Sequence, residues 1–206
     1  MSRLRPETPM KPWQSVLDFW FGDQEPPEPH YQKRWFSGGK ETDRLIAERF
    51  ATDHQRAIDG ELSAWLEHPE GRLALIILVD QFSRNLYRGR AEAFAWDPLA
   101  LQWSQQALDN GHLMLLGMSG RMFCLMPLMH AESLECHQVL GQQIDQLFND
   151  YPSAREALKS FHDAAGEHRV IIEQFGRYPH RNTVLNRPST PAEQDYLSQN
   201  NARFGQ

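Results

Sequence analysis

The sequence predicts an all-α fold, and three observations carry that prediction. Apolar residues recur at helical spacing in nearly every segment, and glycine or proline closes most of those segments. The one β-branched run, around 73–79, has no second strand-like segment to pair with. The helices are many and several are short, so antiparallel hairpins stacked in a solenoid-like row fit better than a four-helix bundle; no fixed-period repeat is evident.

Taken in order, "PWQSVLDFWFG" (12–22) carries Val16, Leu17, Trp20 and Phe21 at helical spacing, with Gly22 placed to end the helix. "DQEPPEPH" (23–30) reads as a proline-rich loop. A second amphipathic pattern runs from Glu41 to Ile58 through Leu45, Ile46, Phe50 and Ala57, and Gly60 closes it. "ELSAWL" (61–66) adds a short helical turn, and 72–88 is the central buried helix. Asp97 and Pro98 read as an N-cap followed by proline at the first helical position, in a helix that ends near Asn110-Gly111. Residues 119–150 hold two helices with a break expected around Pro127. Pro152 opens a long helix that stops at Gly176, with Val170, Ile171 and Phe175 on its expected buried stripe. A capping box at Thr190-Pro191-Ala192-Glu193 starts a last short helix.

The chain of 206 residues is read as one domain behind a flexible tail at 1–11. Its net charge of −6 argues against a general nucleic-acid binder, though a local basic pocket survives that argument. No apolar run is long enough to cross a bilayer, and the first twelve residues lack the core of a signal peptide. Cys124 and Cys136, with no CxxC spacing, read as reduced core thiols, which places the protein in the cytoplasm. Trp13, Trp20 and Trp35 are assigned to the core or to a partner surface, with core the commoner fate.

Three polar clusters are candidates for chemistry. In "LVDQFSRNLYRGR" (78–90), Asp80, Arg84 and Arg88 follow at i, i+4 and i+8 against an apolar face. They form either an internal ion-pair ladder or a bidentate grip on a carboxylate or phosphate. In "MPLMHAESLECH" (126–137), His130 and Glu132 sit where the chain turns, so they can share a proton or a metal only if that segment leaves regular helix. In "HDAAGEHRVIIEQFGRYPHRN" (162–182), Gly176 and Pro179 are helix punctuation. The donors Arg177, His180, Arg181 and Asn182 exceed what punctuation needs. No P-loop, GxSxG elbow, HExxH or di-iron pattern is present, so neither a metal nor a cofactor is expected.

The strings "ALIILVDQFSRNLYRGRAEAFAWDPLAL", "FCLMPLMHAESLE" and "HRVIIEQFGRYPHRNTVLNRPSTPAE" resemble the bacterial family known as domain of unknown function 924, over nearly the whole chain. The resemblance implies a tetratricopeptide-repeat-like helical fold and supplies no function. The family pattern matches at Asp80, Gln81, Arg84, Asn85, Arg88, His130, Glu132, His168, Arg169, Arg177, His180, Arg181, Asn182 and Arg187. It departs at Met129, where the pattern leads one to expect Glu, and at Asn186, where it leads one to expect Gly. The first departure weakens any metal reading; Asn186 can still adopt a left-handed turn.

Three functional expectations follow. The first is a binding module in which Asp80, Arg84, Arg88, Arg177, His180, Arg181 and Asn182 hold an anionic small molecule or a peptide carboxylate. The second is an enzyme with His130 or His168 as general base, Glu132 orienting it, and arginines stabilising negative charge. The third is a buried polar network that only locks helices together. Convergence of Arg84, Arg177 and Arg181 on one open pocket would favour the first, and the third predicts no cavity and full mutual satisfaction of the donors.

Overall fold

A computed structural model describes residues 11–24, 29–37 and 39–199. The tail expected at 1–11 lies almost entirely outside the described residues.

The described residues are helical, with no strand among them. The helices are α1 (Gln14–Phe21), α2 (Pro29–Ser37), α3 (Gly39–Ile58), α4 (Pro69–Ile76), α5 (Ser83–Leu86), α6 (Asp97–Asp109), α7 (Met118–His130), α8 (Leu134–Asp150), α9 (Arg155–Phe175) and α10 (Pro191–Gln199). Tight 3-10 turns at Ser63–Glu67, Ala91–Phe94, His112–Leu115, Pro152–Ala154 and Pro179–Arg181 join several of them. Successive helices pack as neighbours, α6 on α7, α7 on α8 and α8 on α9, while α3 crosses back onto the segment around α5. Short connections leave little alternative to such hairpins.

The expected central helix is present and buried. Leu73, Ala74, Leu75, Ile76, Ile77, Leu78 and Val79 are all buried, with five of them fully enclosed by other helices. Burial on all sides explains the near-continuous apolar run. Between α4 and α5 the chain widens into a π segment at Ile77–Phe82. Ser83 Oγ donates to the Val79 carbonyl at 2.6 Å, the acceptor that a regular ladder would give to the Ser83 amide. His54 Nε2 donates to the same hydroxyl oxygen at 2.8 Å, which anchors the distortion to α3. Against this helix an aromatic cluster packs, with Phe19–Phe50 at 5.0 Å, Trp20–Phe82 at 5.4 Å and Trp20–Phe123 at 5.6 Å between ring centroids. Trp13 and Trp20 belong to this core, and half-buried Trp35 packs on Phe123 at 4.7 Å.

Several expectations are corrected. Helix α2 replaces the end of the expected loop, because Pro29 sits at a helix start, where its missing N–H costs nothing. Helix α7 runs through Pro127 and ends three residues later; the break is at 131–133, and Ser133 caps α8 by accepting from the Cys136 amide at 3.4 Å. Of the expected stripe on α9, Ile171 is buried, Phe175 half-buried and Val170 58% exposed; Leu158, Phe161, Ala165, His168 and Ile172 complete the inward face. Closure at Gly176 holds, with φ 67°, and Asn186 takes a left-handed φ of 51°. Both halves of the Thr190–Glu193 capping box form, at 2.7 and 3.3 Å.

Candidate functional site

The π segment presents Asp80 to the interior with no exposed surface. Its Oδ1 accepts from His130 Nδ1 at 2.7 Å and lies 3.1 Å from Arg84 Nη1, and its Oδ2 accepts from Gln81 Nε2 at 2.6 Å. Burial alone would push this carboxyl up. The Arg84 charge and the hydrogen bonds from His130 and Gln81 outweigh burial and hold it far below the usual carboxylate range. For His130 the balance runs the other way: burial and Arg84 lower the imidazole despite Asp80. The ring is therefore neutral at pH 7, donates Nδ1–H to Asp80, and carries a bare lone pair at Nε2. That Nε2 bonds to no described residue, and the side chain keeps 14% of its surface exposed.

Arg84 then reaches from Asp80 to Asp97 at the start of α6. Nη1 and Nη2 meet the two carboxylate oxygens at 3.0 and 3.1 Å, and Nη1 also donates to the Asp80 carbonyl at 2.8 Å. Such a forked contact is the geometry in which arginine binds best. Burial depresses the guanidinium, but the two carboxylates more than compensate, so its net displacement is upward. Asp97 makes no side-chain cap on its own helix, contrary to the expectation from Asp97-Pro98; its carboxylate is committed to arginines.

Arg181 is the second of these arginines and is much less well served. It is fixed in the 3-10 turn Pro179–Arg181, between the rings of Phe94 and Tyr178 at 4.6 and 4.5 Å from the centroids. Only 8% of its side chain is exposed. Among the described residues its side chain makes one hydrogen bond, to Asp97 Oδ2 at 3.2 Å, and Nε is buried with no partner. Burial dominates and lowers this guanidinium, with Asp97 offsetting only part.

The turn holding Arg181 is itself tightly tied. Glu132 Oε1 accepts from the Tyr178 amide at 2.8 Å, and Arg187 clamps both Glu132 oxygens at 2.6 and 2.9 Å. Arg187 also donates to Asn182 Oδ1 at 3.0 Å, and Asn182 donates to Ser189 Oγ at 3.1 Å. Glu132 and Asn182 therefore brace the turn. The carboxylate on His130 is Asp80, correcting the expected His130–Glu132 pair: His130 ends α7 facing inward, while Glu132 lies in the following loop. Tyr178, fully buried, donates its hydroxyl proton to the Met129 carbonyl, with His137 Nε2 at 3.1 Å from the same oxygen. His168 meets the Tyr178 ring edge-on at 5.6 Å between centroids, and His180 lies tilted against it at 5.5 Å. Burial lowers His168 to about 3 and His180 to about 4, and His168 Nδ1 donates to the Ala164 carbonyl at 2.7 Å.

Two expected members stand apart. Helix α5 stops at Leu86, so the Asp80–Arg84 stripe does not extend to Arg88; that side chain pairs with Asp43 of α3 at 2.9 Å. Arg177 clamps Glu193 at 2.7 and 2.8 Å and closes α10 onto the end of α9. Arg84 and Arg181 thus meet on Asp97, while Arg177 lies apart from them on Glu193. Conversely, Asp97, Phe94 and Tyr178 belong to the cluster and were not foreseen. Among the described residues no group of three or more His, Cys, Asp or Glu side chains is arranged to hold a metal ion, and no helix is long and apolar enough to cross a membrane.

The family model described as "Bacterial protein of unknown function (DUF924)" matches residues 16–201. A solved structure of a protein of unknown function from Agrobacterium tumefaciens is 34% identical, with a TM-score of 0.77 over 91% of this chain and 97% of that one. A search of curated proteins found no match. The chain belongs to this bacterial family.

Proposed function

We propose that this protein binds a small anionic molecule, or the carboxylate of a peptide, at the His130–Asp80–Arg84–Asp97–Arg181 cluster. The observation that carries the reading is Arg181. A guanidinium has five N–H donors, and burying one with a single long hydrogen bond costs several kcal/mol that apolar packing would not. The sequence keeps it, pinned between two rings, in a turn braced by Glu132, Arg187 and Asn182. A bound carboxylate or phosphate would answer the remaining donors, and Arg84 beside it would add a second positive edge. Buried free thiols at Cys124 and Cys136 support a cytoplasmic setting, and stacked helical hairpins in the tetratricopeptide manner would supply the concave frame.

A second reading, acid–base catalysis, has one observation in its favour. A buried carboxylate orients His130 and leaves Nε2 to take a proton, the arrangement a general base requires. The binding reading stands first because it needs only what Arg181 already lacks.

The test is a melting titration with sodium acetate and with sodium phosphate, using sodium chloride at matched ionic strength as the reference. Either anion at a hundred times its Kd is expected to stabilise the native state by about 2.7 kcal/mol, which moves the midpoint by roughly 5–10 °C. Arg88→Ala and Arg177→Ala should keep that anion-dependent shift, since both side chains are engaged elsewhere. If acetate and phosphate both behave as chloride does, the binding reading is wrong.

A further inference from the structure

The cluster's charges balance before any ligand arrives. Asp80 and Asp97 carry two negative charges, Arg84 and Arg181 two positive ones, and the neighbouring Glu132–Arg187 pair cancels internally. His130 is neutral, with Nδ1–H on Asp80 and an unprotonated Nε2. An anion entering this site would leave one uncompensated negative charge in a largely buried place, which is costly. The one group able to cancel it without rearrangement is His130: Asp80 already faces its Nδ1–H and would stabilise the imidazolium, and a protonated Nε2 would itself donate to the anion.

Resting on the binding reading above, we infer that the ligand is a monoanion and that it binds together with one proton, taken up at Nε2 of His130. The groups that face His130 from each packed element support this choice. Asp80 and Arg84 approach from the π segment and α5, Asp97 from α6, His137 from α8 and His168 from α9. His168 rests its Nδ1 on a backbone carbonyl and His137 its Nε2 on another, whereas His130 has a carboxylate. A dianion would need a second proton beyond the one that His130 takes up.

Calorimetric titration with acetate, in two buffers of different ionisation enthalpy, counts the protons directly. At pH 7 to 8, where acetate is fully ionised, uptake of about one proton per acetate is expected, with Kd rising about tenfold for each pH unit between the His130 value in the free protein and its raised value in the complex. Sulfate, dianionic throughout this range, should bind at least about tenfold more weakly than acetate. His130→Gln should abolish the uptake, and if that variant does not fold, the proton count on the unmodified chain decides alone. Acetate binding with no proton uptake overturns this inference and leaves the binding reading standing. Sulfate binding tighter than acetate overturns the monoanion assignment. Binding of neither anion overturns both.

Discussion

Lowering the pH from about 7 to about 5 is expected to remove roughly 4–6 kcal/mol from the stability of the native state. The cause is a set of histidines that the fold keeps neutral. Burial lowers His54 to about 4, His168 to about 3 and His180 to about 4, against 6.5 for the free side chain, and His130 and His137 are displaced the same way. The sign follows from which state takes the protons. Above the unfolded value both states are neutral and the contribution is intact. As pH falls from about 6.5 towards the folded values, the unfolded chain protonates while the native one cannot, so each histidine withdraws up to about 1.4 kcal/mol per pH unit. Urea midpoints collected between pH 7.5 and 5 would show a steep decline, whereas a flat profile would mean that these rings are hydrated and titrate normally.

Replacing Asp80 with asparagine is expected to cost about 3–5 kcal/mol, because it leaves Arg84 and His130 facing an uncharged amide in the interior. For a domain of this size that is a midpoint lower by roughly 6–20 °C. The deficit also has a pH signature opposite in origin to that of the histidines. Asp80 sits far below the usual carboxylate range, so its contribution is complete above the unfolded value of about 3.9 and is lost only as pH falls below it. Comparing the variant with the unmodified protein at several pH values should therefore give a constant gap down to about pH 4 and a narrowing gap beyond. A gap that widens as the pH falls through about 6 would show that His130 in its charged form, not Arg84, is what Asp80 stabilises.

Much of the fold was legible because helix punctuation is local. Gly22, Gly60, Gly111 and Gly176 end helices with positive φ, as a residue without Cβ does most easily, and the Thr190–Glu193 box declares itself within four residues. Helix α2 was hidden because its opening proline follows other prolines and reads as loop. Pro127 misled for the opposite reason, since a helix packed on every side can absorb a missing hydrogen bond that an isolated one would not.

The site was legible only in part. Arg84 and Asp80 are one helical turn apart, so their pairing can be read along the chain. Arg181 and Asp97 are 84 residues apart, and Glu132 and Arg187 are 55 apart; no periodicity connects such partners. Asp97 before Pro98 looks like a cap, and a carboxylate spent on a cap cannot be told by sequence from one spent on two distant arginines. Arg88 was over-read because the stripe was extended two residues beyond the last helical one. Tyr178 carries no spacing signal at all, yet its ring stacks on Arg181 and its amide anchors Glu132.

The central claim is that Arg181 is held for a ligand and not for the fold. Arg181→Met keeps most of the volume between Phe94 and Tyr178 while removing the buried charge. Its melting midpoint, with no anion beyond chloride, is the measurement that decides most directly. The account predicts a midpoint equal to or above that of the unmodified chain, since a buried, poorly answered guanidinium replaced by a packed apolar side chain is often neutral or stabilising by about 1–4 kcal/mol. The same variant should no longer respond to acetate. A midpoint lower by more than about 4 °C, beyond what 1 kcal/mol explains in a domain of this size, would mean that Arg181 locks the helices together and that the cluster is a scaffold.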